Sequence, residues 1–215
     1  MVVAAKSLSY NSSIDKIYFL IEDPSFPYEL PKWVQCIDVS NQKFFNQNGP
    51  NVYKLWTWMV LMRAALTKIF PQYSKILSLD VDTIVDESID ELWDIDISSY
   101  YIAGAKEPKK TSADKPYINM GVAIFNLDRL RADHIDDTII YLLNNKKYLF
   151  AEQDCINDVC GSMIYTISSM YNSNPYTEEC LKPKIYHFAC DRNYDSYSLY
   201  KKYESMNWQD IRSDS

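Results

Sequence analysis

Asp80 and Asp82 stand one residue apart at the end of the apolar run Lys75-Ile76-Leu77-Ser78-Leu79. An apolar run that ends abruptly in acids reads as a buried strand whose tip opens on a site. The backbone begins to turn there, so both carboxylates can aim at one hard cation, which prefers oxygen ligands and takes the phosphate oxygens of a bound molecule as the rest. Alone, the tripeptide also suits a turn or a helix cap at Asp82-Thr83. His187, one of two histidines, ends the short apolar stretch Ile185-Tyr186 and could return to the same sheet edge as the two acids. A lone histidine is equally at home as a satisfied core or surface group. His134 sits in the charged segment RADHIDD and reads as solvated.

The elements that would position these groups follow from pattern. Val2, Val3, Ala5 and Leu8 have the spacing of one face of a short helix over Met1 to Tyr10. Lys16 to Ile21 reads as a buried strand closed by Glu22-Asp23-Pro24-Ser25, Trp33 to Val39 as a second strand, and the Asn/Gln-rich Ser40 to Asn51 as a loop. The stripe Trp56, Met59, Val60, Arg63, Leu66, Phe70 predicts a helix from about Tyr53 to Phe70, stopped by Pro71. After the acid-tipped strand come a short capped helix over Asp86 to Trp93 and a strand over Tyr101 to Ala105. Glu107 to Pro116 is a surface loop and candidate lid. A strand over Val122 to Phe125 and helices over Leu127 to Asn145 and from Glu152 to Val159 complete the reading. The tail from Asp191 carries no clear pattern. No repeat or low-complexity segment interrupts residues 1–215, which read as one α/β domain.

Four segments, KILSLDVDTIVDESIDEL from Lys75, YINMGVAIFNLDRLR from Tyr117, AEQDCIN from Ala151 and KIYHF from Lys184, resemble in order and spacing glycosyltransferase family 8, the group of glycogenin and bacterial lipopolysaccharide galactosyl- and glucosyltransferases. The resemblance implies a GT-A type, Rossmann-like nucleotide-sugar-binding domain with a mixed central sheet. It also implies a sugar nucleotide donor, usually UDP-linked, a divalent cation, Mn2+ or Mg2+, and transfer with retention to a glycan, lipopolysaccharide or protein hydroxyl. Asp80, Asp82 and His187 fall on the family's metal ligands. Arg63, Asp80, Val81, Asn119, Met120, Gly121 and Asp154 fall on its donor-binding positions, with Asn119 to Gly121 matching an Asn-small-Gly turn at the donor sugar. Glu152 and Gln153 match the Asp-Gln-Asp segment, Glu replacing the first Asp. In the family the acid holds the sugar, and the Gln lies on the face of the anomeric carbon opposite the leaving phosphate. A neutral amide there suits stabilisation of an oxocarbenium-like centre rather than a covalent intermediate, which needs a carboxylate.

The chain departs from the family pattern in two places. Cys190 and Asn193 occupy the Gly and Lys positions after the metal histidine, leaving Arg192 as the nearest positive charge for a diphosphate. The family's first strand should precede a helix like MVVAAKSL, where this chain begins. The domain is therefore expected to be amino-terminally incomplete or shortened, with an unpaired sheet edge beside Lys16 to Ile21. A degenerate, non-catalytic sugar- or partner-binding protein is the competing expectation. A haloacid dehalogenase-type phosphatase is disfavoured, because its Asp-x-Asp-x-Thr/Val pattern fails at Ile84.

Composition agrees without having pointed there. Twenty-nine acids against 22 bases, net charge −7, argue against a general nucleic-acid binder, whose affinity comes from clustered Lys and Arg. Five cysteines without Cys-x-x-Cys spacing suggest neither a disulfide framework nor a structural zinc, but ordinary buried thiols. With no signal-peptide pattern and no membrane-length apolar window, the expectation is a soluble, cytoplasmic protein for which peripheral membrane contact stays open.

Overall fold

Two segments are apolar on both faces and so must lie inside a sheet: β5, Ile102–Lys106, and β6, Ile118–Asn126. In the computed structural model, which describes residues 1–52, 57–112 and 115–211, they are the centre of a four-stranded mixed sheet ordered β3-β6-β5-β7. Here β3 is Lys75–Leu79 and β7 is Ile164–Ile167; β3–β6 and β6–β5 are antiparallel and β5–β7 parallel. A parallel pair, β1 (Ile17–Ile21) and β2 (Val34–Asp38), and an antiparallel pair, β4 (Thr83–Val85) and β8 (Ile185–His187), complete the strands.

Helical segments cover both faces. One core is formed by Leu61, Met62, Ala64 and Ala65 of a 3-10 helix (Trp58–Ala65), Ile139 and Leu143 of α5 (Ile135–Asn145), and Cys155, Ile156 and Cys160 of α6 (Ala151–Cys160). These meet Ile102, Ile118, Met120, Ala123 and Phe125 of the sheet. The other core gathers Leu8 of α1 (Val2–Asn11), Val85, Ile89, Leu92 of α3 (Asp90–Trp93), and Ile185 against Ala103, Val122 and Ile124. In β6, residues 118 and 120 face the first core, 122 and 124 the second, and 123 and 125 the first again. The flip reflects a bulge: Gly104 pairs with Ala123 but Lys106 with Ile118, so two steps along β5 span five along β6. Bulges re-aim side chains and gather beside active sites.

The structure revises several expected elements. Residues 58–70 form a 3-10 helix followed by the single turn α2 (Leu66–Ile69), not a continuous α-helix, and Tyr53 to Trp56 lie outside the described residues. The capped helix at Asp86 shrinks to one turn from Asp90. The long helix over 127–145 divides into α4 (Leu127–Ala132) and α5, because His134 adopts φ 55° and redirects the chain. Asn119, Met120 and Gly121 belong to the bulged part of β6 rather than to a turn. The tail supplies α7 (Ser198–Glu204), whose Tyr203 is fully buried beside Val3 and Ile84, and α8 (Trp208–Ile211). Only Cys155 and Cys160 are buried thiols; Cys36 and Cys180 are partly exposed and Cys190 exposed, since their segments lie outside the two cores. No helix among the described residues is long and apolar enough to cross a membrane.

Candidate active site

The acids leave β3 where its ladder to β6 ends, at the bond from the Asp80 N–H to the Gly121 carbonyl, 2.8 Å. The chain turns at once, with Thr83 donating back to the Asp80 carbonyl, and enters β4. There Thr83 pairs with His187 across the β4–β8 ladder. His187 Nε2 consequently sits 3.5 Å from Asp80 Oδ2 and 3.5 Å from Asp82 Oδ1. One ligand atom from each of the three residues lies within 4.8 Å of the others.

The imidazole is fixed by its surroundings. Its Nδ1 is 2.9 Å from the Asn172 side-chain oxygen, which accepts, so Nδ1 is the donor and the ring is held with Nε2 turned toward the acids. A β-carbon at Gly121 would lie 2.0 Å from His187 Cε1 and 2.3 Å from Nδ1. Gly121 is therefore the floor on which the ring rests. Two carboxylates and one imidazole, the latter oriented by its hydrogen bond to Asn172, form a donor set that fits a divalent cation completed by oxygen ligands.

Arg63, on the 3-10 helix, reaches the same place from the other core. It pairs with Asp80 Oδ1, lies 3.4 Å from Glu152 Oε1, and donates to the Ser78 hydroxyl at 3.2 Å. Burial opposes the guanidinium's charge, but Asp80 and Glu152 outweigh it and hold the group above its ordinary value. Burial raises Glu152 to about 7, against the lowering effect of Arg63 and with Asp80 adding to the rise. Asp82 is raised as well, by burial first, with His187 opposing and Asp80 reinforcing.

Gln153 follows in α6, just after the left-handed Ala151 (φ 42°). Its side-chain oxygen accepts from the Met120 N–H, 3.1 Å, and its amide donates to Glu107 Oε1, 3.1 Å, and to the Tyr117 hydroxyl, 3.0 Å. Glu107 also accepts from Asn119 Nδ2 at 2.8 Å, and Asn172 donates to Asn119 Oδ1 at 3.0 Å. A buried polar chain thus runs from Gln153 through Glu107, Asn119 and Asn172 to His187, and such a network restrains every member.

The remaining positions separate. The Met120 side chain is buried in the first core, so it walls no open pocket; the bulge turned it inward. Asp154 accepts from the Phe150 N–H and the Tyr117 hydroxyl, which makes it a cap of α6 as well as a neighbour of Gln153. Val81 is exposed between the two acids, and Arg192 is exposed with no hydrogen bond or ion pair to the cluster among the described residues. His134 is exposed beside Asp137. Sequence reasoning missed Glu107 and Asn172. Glu107 repeats the Asp80 signal, an acid directly after a buried strand, whereas nothing around Asn172 marks it.

The fold is that of known glycosyltransferases. The glycosyltransferase GlyE of Streptococcus pneumoniae superposes with a TM-score of 0.71 at 20% identity over 98% of this chain and 58% of that one. The galactosyltransferase LgtC, solved in complex with donor and acceptor sugar analogues, superposes with a TM-score of 0.69 at 16% identity over 94% of this chain and 89% of its own. A curated Haemophilus influenzae protein, provisionally named a glycosyltransferase, is 28% identical over 151 residues. That match covers 64% of this chain, and the chain spans 46% of the relative's length. The sequence profile of glycosyl transferase family 8 matches residues 3–203, and the chain accordingly belongs to that family.

Proposed function

We propose that this chain is a metal-dependent, retaining glycosyltransferase that moves a hexosyl group from a nucleotide sugar, UDP-linked, to a hydroxyl of a glycan, lipopolysaccharide or protein acceptor. The observation that carries the reading is the convergence of Asp80, Asp82 and His187 at the end of β3, with Arg63, Glu152 and Gln153 beside them. Asp80, Asp82 and His187 would hold Mn2+ or Mg2+, which when bound neutralises charge on the departing diphosphate. Arg63 keeps Asp80 and Glu152 in place and adds positive charge at the same point. Glu152 accepts from a donor-sugar hydroxyl. Gln153, neutral and clamped at both ends of its amide, offers a fixed dipole to the electron-poor anomeric centre without competing as a nucleophile. Asn119 and Gly121 line the approach, Asp154 braces the start of α6, and Arg192, beside Asn193, is the cation offered to the diphosphate.

Calorimetric titration with UDP and Mn2+ tests the reading. UDP affinity should depend on the metal and be lost in Asp80→Ala, Asp82→Ala and His187→Ala with the circular dichroism spectrum kept; unchanged affinity in all three would overturn the metal assignment. Binding without turnover on any acceptor would favour the non-catalytic alternative.

A further inference from the structure

Lys110 touches both groups that receive the Gln153 amide. Its Nζ is 3.0 Å from Glu107 Oε2 and donates to the Tyr117 hydroxyl at 3.3 Å. It also stands 4.5 Å from the centre of the Tyr117 ring and 3.7 Å from that of Phe150, the residue before α6. Local structure brings it there. Pro108 opens a turn that the Lys110 N–H closes on the Glu107 carbonyl at 3.0 Å. Thr111 ties the two ends of the loop, its hydroxyl donating to the Glu107 carbonyl and accepting from the Tyr117 N–H, each at 3.1 Å. Lys110 is thereby folded back over the side chain of Glu107.

The direction of every amide in the buried chain is set at this end. A carboxylate only accepts, so Glu107 Oε1 turns Gln153 Nε2 and Asn119 Nδ2 toward itself, at 3.1 and 2.8 Å. The Tyr117 hydroxyl donates to Asp154 and accepts from Gln153. Each amide then carries its oxygen on the far side. Gln153 Oε1 accepts from the Met120 N–H, and Asn119 Oδ1 from the Gly121 N–H at 3.0 Å and from Asn172. Asn172 in turn presents its oxygen to His187. Glu107 is thus the anion from which three amides take their direction, and Lys110 is its one ion-pair partner among the described residues.

We propose that Lys110 is a positioning residue for the transfer, an inference that rests on the transferase reading of Gln153. Its ammonium compensates the buried Glu107 carboxylate, keeps it between Gln153 and Asn119, and so fixes which way the Gln153 amide faces. Removing one partner of an enclosed ion pair leaves the other charge uncompensated. The carboxylate is then drawn toward solvent and releases both amides. Asn119 still keeps the Gly121 N–H and Asn172, so the damage concentrates at Gln153 rather than at the metal end of the chain.

Lys110→Met, Glu107→Gln and the double variant test this on the intact chain. Because 31% of the Lys110 side chain meets solvent, methionine is accommodated there. In substrate-free protein, Lys110→Met should move the side-chain amide NMR resonances of Gln153 and Asn119 and speed their hydrogen exchange roughly tenfold, while the remote Asn11 amide stays in place. With Mn2+ and UDP-glucose or UDP-galactose, whichever the parent hydrolyses, kcat for UDP release should fall about 10–100-fold. Mn2+-dependent UDP affinity should stay within about threefold. In the Glu107→Gln background the same substitution should cost less than about threefold, because the charge it compensates is gone. Unmoved Gln153 and Asn119 resonances, an equal kcat loss in both backgrounds, or a loss confined to KM would overturn the proposal. A parent that hydrolyses neither donor counts against the transferase reading instead, and the amide resonances then decide alone whether Lys110 orients Gln153.

Discussion

Replacing Gly121 by alanine tests how much of the site depends on the seating of one ring. The new methyl would start 2.0 Å from His187 Cε1, and ordinary contact begins near 3.4 Å, so the imidazole must retreat by about 1.4 Å. It cannot do so freely, because it is buried and tied to Asn172. Overpacking of this kind costs about 1–3 kcal/mol. Displacing a ligand by more than about 1 Å should weaken metal-dependent UDP binding by about 10–100-fold, the range seen when orienting contacts of a metal ligand are lost. Gly104→Ala is the matched control: its β-carbon would meet the flexible end of Ile118, 2.7 Å from Cδ1. That variant should lose stability on urea denaturation while keeping UDP affinity within about twofold. If Gly121→Ala binds UDP and Mn2+ as tightly as the parent, the geometry argued for His187 is wrong.

Glu152→Gln probes the buried acid. The folded state raises this carboxyl from an ordinary 4.5 to about 7, so its contribution to stability is full below pH 4.5 and lost as pH rises through about 7. That interval corresponds to roughly 3 kcal/mol at 1.36 kcal/mol per pH unit. In metal-free buffer the glutamine variant should gain on the parent by this order between pH 4.5 and 8, and a stability difference independent of pH would contradict the environment described. Gln153→Ala should lower turnover with UDP-sugar affinity retained, as for a group acting mainly at the transition state; wild-type turnover would make it a bystander. Product analysis by NMR should show the donor's anomeric configuration preserved, and inversion would reject the proposed chemistry.

The chemistry was more legible than the architecture that delivers it. Asp80 and Asp82 announce themselves because the apolar run breaks into acids, and β1, β2, β3 and α1 follow from short apolar runs or helical spacing. β4 and β7 escaped, since Thr83-Ile84-Val85 and Ile164–Ile167 are too short for a period to register. The break at Asp133-His134 carries no Gly or Pro, so nothing local distinguishes it from helix interior. The β6 bulge is a property of pairing with β5 and has no signature in its own strand. Glu107 and Asn172 matter through what they touch, across 12 and 15 residues to Asn119 and His187 respectively, and such partnerships exist only in the folded chain.

The pairing of Thr83 with His187 links positions 104 residues apart. Bringing ends that far apart together costs about 4 kcal/mol in the length-dependent part of loop closure alone. The two acids are neighbours in any conformation, but the histidine joins them only after nearly half the chain has been threaded through the sheet and back. A cation held by all three proposed ligands would thus bind late in folding, as a clasp on the finished topology rather than a nucleus for it.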